Sequence, residues 1–223
     1  MKNNTILVVA AHSDDEAFGC SGTIAKHVKN GDSVYLLFMT DGTGSRLTGD
    51  NDAQLRLKIS HRAANIMGVT SIENFDFPDN QMDTLPLLDI VKKIEYKIDE
   101  VQPNVIYTHY ISDLNIDHQI THKAVMTACR PQPGFCVKEI YMFEVLSSTE
   151  WQVSNVTSFC PNIFVDITDF ISIKERTLSE YSNEMRETPH TRSIDNSIRL
   201  SALRGNSIGV EYAEAFMVKR LIK

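Results

Sequence analysis

Residues 6–11, Ile-Leu-Val-Val-Ala-Ala, form an unbroken apolar run bounded by polar residues. Such a run reads as a strand buried on both faces. A strand of that kind needs covering layers above and below, which commits the chain to a layered fold. Residues 33–39 repeat the pattern, and 72–77, 105–108, 139–145 and 163–167 read as further strands. Between them lie amphipathic stretches at 20–30, stopped by Gly31, and at 52–67, stopped by Gly68. A third, 87–101, carries Leu88, Val91, Ile94, Ile98 and Val101 at helical spacing before Pro103, and a fourth, 118–129, ends before Pro131. Strands joined through helices of this length lie parallel, with right-handed crossovers. The expected fold is therefore α/β: a mainly parallel sheet with helices on both faces, a three-layer sandwich. The 223 residues contain no repeat, low-complexity tract or Pro/Gly/Ser-rich linker, so residues 1–223 are expected to form one domain. Ligands of such sheets bind beyond the carboxyl ends of the strands.

The first strand runs straight into His12-Ser13-Asp14-Asp15-Glu16. Crowding one imidazole and three carboxylates at a strand end is costly without a cation or water. His12 and Asp15 suit zinc or a similar borderline metal as ligands from one loop, which leaves Asp14 beside the water such an ion activates. Aspartate is also favoured at helix N-caps, so capping of the next helix is the alternative role for Asp14 or Asp15. After the fourth strand comes His109-Tyr110-Ile111-Ser112-Asp113-Leu114-Asn115-Ile116-Asp117-His118. There His118 opens a helix and can supply a third ligand, leaving a fourth position open as a catalytic site requires. Asp117 is placed to orient an imidazole from behind. His122 shares a helix face with His118, but Gln119 stands where an H-E-x-x-H motif has glutamate, so His122 reads as structural. His27 and His61 fall in amphipathic helices and read as solvent-facing or locally satisfied.

A formal net charge of −7 argues against a protein that holds nucleic acid by its overall field. Cys20, Cys129, Cys136 and Cys160 are scattered, with no C-x-x-C pair, and read as reduced thiols. No apolar run approaches the roughly 20 residues of a membrane span, and the first residues lack a signal-type apolar region. A cytoplasmic protein without a membrane span is expected. A nucleotide-binding oxidoreductase would need G-x-G-x-x-G after the first strand, where this chain has carboxylates. The Gly42-Thr43-Gly44-Ser45 run only imitates a phosphate loop and reads as a flexible rim.

These residues resemble the PIG-L/LmbE-like family of N-acetylglucosaminyl de-N-acetylases, whose signature A-H-P-D-D-E stands here at 11–16 with Ser13 in place of proline. The resemblance covers nearly the whole chain, through Thr40-Asp41-Gly42, Arg56, Phe77-Pro78-Asp79-Asn80 and the loop ending at His118. It implies a Rossmann-like fold and a zinc ion, or another divalent transition metal, held by His12, Asp15 and His118. It further implies Asp14 as general base, with Arg56 and Asp79 holding sugar hydroxyls; a solvated helix arginine is the other reading of Arg56. The implied substrate is a small N-acylated amino sugar, free or linked to a nucleotide or lipid, of the kind used in surface-polysaccharide biosynthesis. Relatives form assemblies of various sizes, so a homo-oligomer is compatible with the sequence.

The chain departs from the family at Asn115, where many relatives carry the first histidine of H-P-D-H. Asparagine can donate a hydrogen bond to an oxyanion but cannot shuttle a proton near neutral pH. Two groups are left to deliver the proton: Asp14 itself once protonated, and His190 in the turn Pro189-His190-Thr191-Arg192-Ser193, which otherwise reads as an exposed loop residue. Asn115 also keeps open a carbohydrate-binding or regulatory protein that retains the metal site without turnover. Late in the chain, Glu214 of Ala213-Glu214-Ala215-Phe216, together with Arg192 and Arg204, reads in two ways. These residues line a site for an anionic part of the substrate such as a diphosphate, or they serve as helix caps and salt bridges.

Overall fold

The alternating demands of the apolar runs are met in a computed structural model, which describes residues 3–40, 42, 51–152 and 157–223. The strands are β1 (Thr5–Ala10), β2 (Ser33–Thr40), β3 (Ser71–Phe77), β4 (Val105–His109), β5 (Glu139–Phe143), β6 (Ile163–Asp166) and β7 (Ala213–Leu221). They form one sheet in the order β3-β2-β1-β4-β5-β7-β6. The pairs from β3 to β5 are parallel, and β7 runs antiparallel to both of its neighbours.

Because side chains alternate along a strand, β1 feeds two cores. Ile6, Val8 and Ala10 pack with α1 (Asp15–Gly19), α2 (Ser21–Lys29), α3 (Asn51–Met67) and α6 (Ile171–Glu180), through residues such as Phe18, Ile24, Ala63 and Leu178. Leu7 and Val9 pack on the other face with Ile90 and Ile94 of α4 (Leu87–Val101) and Val125 of α5 (Ile116–Ala128). The three-layer α/β architecture expected from the sequence is thereby present. β1 lies between β2 and β4, so the chain leaves it in opposite directions on its two sides. That crevice, beyond the carboxyl ends of β1 and β4, is where ligands of open α/β sheets bind.

Several elements differ from the expectation. The stretch expected as one helix over 20–30 is two, α1 and α2, broken at Cys20 with φ −154°. The sequence reading assigned neither α6, α7 (Ile194–Asn206) nor the antiparallel β7. β7 carries Glu214 into the interior, where its carboxylate accepts from the Gly22 and Thr23 amides at the start of α2 (3.1 and 2.7 Å) and from Lys174 Nζ (2.7 Å). Arg204 makes two bonds to Glu144 (2.8 and 2.7 Å). Of their two readings, capping and ion pairing are therefore the ones these two residues take. Gly205 of α7 lets the following turn close: a Cβ there would lie 2.7 Å from Tyr212 Cα. Among the described residues no helix is long and apolar enough to cross a membrane.

Candidate metal centre

Three loops converge at the switch point, following β1, β3 and β4. From the first, His12 turns Nδ1 toward His118 Nε2, 3.3 Å away, and toward Asp15 Oδ2 at 3.4 Å. His118, on the first turn of α5, places the same Nε2 3.3 Å from Asp15 Oδ1. Three buried electron-rich atoms facing one another repel unless a proton or a cation lies among them. Donor atoms about 2.0–2.1 Å from a tetrahedral zinc-like ion stand roughly 3.3–3.4 Å apart, so the spacing of this trio fits such an ion.

The backs of both imidazoles are braced. His12 Nε2 lies 3.0 Å from Asp79 Oδ1 and 3.2 Å from Asp117 Oδ2. His118 Nδ1 lies 3.2 Å from Asp113 Oδ1. Carboxylates behind metal-binding imidazoles fix ring orientation and raise ligand basicity. Other groupings of these histidines and aspartates are also close enough to hold an ion. The His12–Asp15–His118 trio is favoured because it alone uses the nitrogens facing away from the bracing carboxylates. Asp117 accepts from the Asn80 and Met82 amides (2.6 and 3.1 Å), which locks the loop after β3 to α5. Asp117 thus braces His12 and not its chain neighbour His118. Asp113, which the sequence reading did not single out, is held by Ser148 Oγ and by Thr149 Oγ1 at 2.7 Å.

The electrostatics match a site built for positive charge. Burial alone would lower the His118 pKa, but the charges of Asp15 and Asp113 outweigh it and hold the ring up at about 9. Burial would raise Asp15, yet the facing His118 and His109 rings bring its carboxyl well below the ordinary range. His109 stacks on His118 with ring centres 3.9 Å apart, and burial, aided by that neighbour's charge, pushes it down to about 4. Its Nε2 accepts from the Ala11 amide at 2.8 Å, so this neutral ring pins the end of β1 beneath the site.

Asp14 is held in a conformation few residues adopt, with φ 138° and ψ −23°. Backbone in such a region costs about 1–3 kcal/mol and persists where its surroundings over-determine it. Although Asp14 stands at the N-cap position of α1, its side chain makes no capping bond. Instead Oδ2 accepts from Arg192 Nη2 at 2.6 Å, with Arg56 Nη2 3.6 Å away. Oδ1 is buried and has no hydrogen-bond partner among the described residues. Arg192 comes from the loop before α7, is tied to Leu146 O and Ser147 Oγ, and lies 4.6 Å over the Phe18 ring. Arg56 bonds Gly42 O (2.8 Å) and Glu184 Oε1 (3.1 Å); Gly42 has φ +68°, and a Cβ there would strike this guanidinium. Deeper still, burial pushes the Glu16 carboxyl up to about 8, against the opposing hydrogen bond from Tyr181.

These groups floor a pocket of about 320 Å³ whose wall includes Arg56, Asp79, Asn115, Trp151, Arg186 and Arg192. Asn115 caps α5, its side-chain oxygen accepting from the Asp117 and His118 amides (2.8 and 3.4 Å) while Nδ2 donates to Asn80 Oδ1 (3.2 Å). Asn115→Ala is expected to cost about 1 kcal/mol. In a chain of this size that lowers the melting temperature by about 2–4 °C, read by calorimetry. His190 is exposed and outside the pocket wall; its Nδ1 accepts from the Arg192 amide (3.0 Å) and its ring meets Trp151 edge-on. His122 Nδ1 bonds His109 O at 2.9 Å, a structural role. His27 bridges Asp32 and Tyr107 within the fold. Asp41 and residues 43–45 of the Gly42-Thr43-Gly44-Ser45 run lie outside the described residues.

Comparison with known proteins adds a family and a fold. The family described as GlcNAc-PI de-N-acetylase (PIG-L) matches residues 7–129. The uncharacterized deacetylase YaiS of Escherichia coli is 26% identical over 82% of this chain and 92% of its own. The diacetylchitobiose deacetylase of Thermococcus kodakarensis is 27% identical over 94% of this chain and 80% of its own. Among solved structures, the conserved protein TT1542 of Thermus thermophilus superposes with a TM-score of 0.81 at 24% identity, covering 99% of this chain and 96% of that one. The 4-carboxy-2-hydroxymuconate hydratase of Pseudomonas putida superposes with a TM-score of 0.79 at 22% identity, covering 100% and 99%. The last two establish a shared fold and no more.

Proposed function

The chain belongs to the PIG-L family, and from that premise we propose that it is a metal-dependent deacetylase, residues 1–223 acting as one catalytic domain, that hydrolyses the N-acyl group of an amino sugar or amino-sugar conjugate. The reading is carried by one observation: Asp14, whose buried Oδ1 has no hydrogen-bond partner among the described residues, lines the same pocket as the converging His12, Asp15 and His118. We assign the ion to zinc, on the mixed nitrogen and oxygen donors and their tetrahedral spacing. The four unpaired cysteines favour a reducing, cytoplasmic setting.

Bound by His12, Asp15 and His118, zinc would acidify a water and polarise an amide oxygen. Asp14 Oδ1 takes a proton from the attacking water as a bond forms between the water oxygen and the amide carbon. Arg192 holds the other carboxylate oxygen, so only Oδ1 is free to move the proton. The same Oδ1 then returns the proton to the sugar nitrogen as the carbon–nitrogen bond breaks, giving a free amine and a carboxylic acid. We favour Asp14 over His190 as the donor because His190 stands outside the pocket wall. The remaining Asn115 Nδ2 hydrogen can face a developing oxyanion, and Arg56 and Asp79 are assigned to sugar hydroxyls. Braced by Asp117 and Asp79, His12 keeps the tautomer with Nδ1 unprotonated.

A shared fold with a hydratase makes the reaction itself the thing to test. Zinc-loaded protein incubated with N-acetylglucosamine and N,N'-diacetylchitobiose should release free amine and acetate in equal amounts. Zinc bound at one ion per chain with no amine from either sugar or its conjugates would favour the sugar-binding alternative.

A further inference from the structure

Among the described residues three arginines stand in the wall of the pocket, and two are engaged. Arg192 is paired with Asp14, and Arg56 spans Asp14 and Glu184. The third, Arg186, is exposed on the loop after Glu184. Its guanidinium donates to the Met185 carbonyl at 3.2 Å and pairs with no carboxylate among the described residues. Concave walls focus the field of a charge they carry, so an uncompensated guanidinium there attracts an anion to the mouth. Planar guanidinium groups match carboxylate and phosphate oxygens in pairs. The same wall exposes apolar surface: Trp151 is 48% exposed and Leu114 44%. A half-exposed indole at the mouth of a polar pocket, packed against His190, offers apolar surface to a sugar ring or a short linker.

We propose that Arg186 is a specificity residue that binds an anionic group, a carboxylate or a phosphate, borne on the N-acylated sugar outside its acylamino group, with the connecting atoms lying against Trp151. This rests on the deacetylase reading above. The acylamino end faces the metal centre, and the anion lies at the rim. It also moves the anion-binding role away from Arg192, Arg204 and Glu214, whose partners lie within the protein.

The test compares kcat/KM of the zinc-loaded protein for N-acetylglucosamine, N-acetylglucosamine 1-phosphate and N-acetylmuramic acid, in the wild type and in Arg186→Gln and Arg186→Lys. The wild type should favour at least one anionic sugar over the neutral one by about tenfold, the size of a partly exposed charged hydrogen bond. In Arg186→Gln the anionic-to-neutral ratio should fall to near one, mainly through KM; Arg186→Lys should keep part of it. The phosphate and lactyl-carboxylate sugars separate the two sources of the anion. A wild-type ratio near one for both, or a preference that survives Arg186→Gln, overturns the assignment to Arg186 while leaving the deacetylase reading intact. No amine from any of the three sugars, with the metal bound, overturns both.

Discussion

Asp14→Asn is expected to bind its metal as the wild type does and to lose turnover by about 10²–10⁴-fold, the usual contribution of a positioned general base. The substitution is informative because so little else changes. Asparagine keeps one carbonyl oxygen, which can still accept from Arg192, and it tolerates positive φ about as well as aspartate. What disappears is the basic oxygen in the pocket, now an amide group unable to take a proton. Metal content by elemental analysis and amine release at saturating sugar separate the two effects. A variant with full zinc and undiminished kcat would take the base role from Asp14. Arg192→Ala should fall between the two proteins, because it frees Oδ2 without removing either carboxylate oxygen.

The parts legible in the sequence were those written in hydrophobic contrast or in short-range chemistry. β1 and β2 are continuous apolar runs because both faces are covered, and α4 shows its stripe because Val91, Ile94 and Ile98 face one core, although Leu88, counted in that stripe, is 60% exposed and the buried Ile90 was not counted. α7 was not legible for a physical reason. Its buried face is Ser197, Ser201 and Gly205, small residues at i, i+4 and i+8 that let neighbours approach closely without producing an apolar stripe. α6 hides in the same way, burying Lys174 and Thr177 beside Leu178. β7 buries Glu214, the partner of that lysine, so each polar residue disguised the other's element. A buried ion pair satisfied across two elements has no signature in either segment alone.

The site divides along the same line. His12, Asp14 and Asp15 are consecutive or nearly so, and His118 follows the strand next to theirs, so a parallel-sheet reading brings them together. The bracing carboxylates Asp113 and Asp117 lie within five residues of His118; Asp117 was singled out on that ground, and the same local chemistry could have found Asp113. His109 offered one further signal, a histidine ending a buried strand where an aliphatic residue would be ordinary. Arg192 was not assignable in this way: it meets Asp14 across 178 positions, and no motif marks an arginine for a distant carboxylate. The neighbouring His190 looked the better candidate because imidazole chemistry is conspicuous in a sequence. Its ring faces outward against Trp151, and its contribution to the loop is a hydrogen bond accepted from the Arg192 amide.

His118→Ala should lose the metal, and with it all measurable turnover. In the proposed site the imidazole gives one of three protein donors, and the remaining His12 and Asp15 come from a single loop that would then have to hold the ion without the clamp from α5. Ring removal also strips His109 of its stacking partner and leaves Asp113 without the charge that holds its carboxyl below the ordinary range. Some loss of stability is therefore expected regardless of metal, and activity alone cannot separate the causes. Chelation does so. A ligand that binds the folded state at about 100 times its Kd stabilises it by about 2.7 kcal/mol. For a chain of this length that is about 5–10 °C in Tm. The wild type should drop by that amount on adding a chelator, while His118→Ala, already without metal, should melt at the same temperature with or without it. A variant that retains one zinc per chain and still shows the chelator-dependent drop would place the ion elsewhere among these histidines and aspartates.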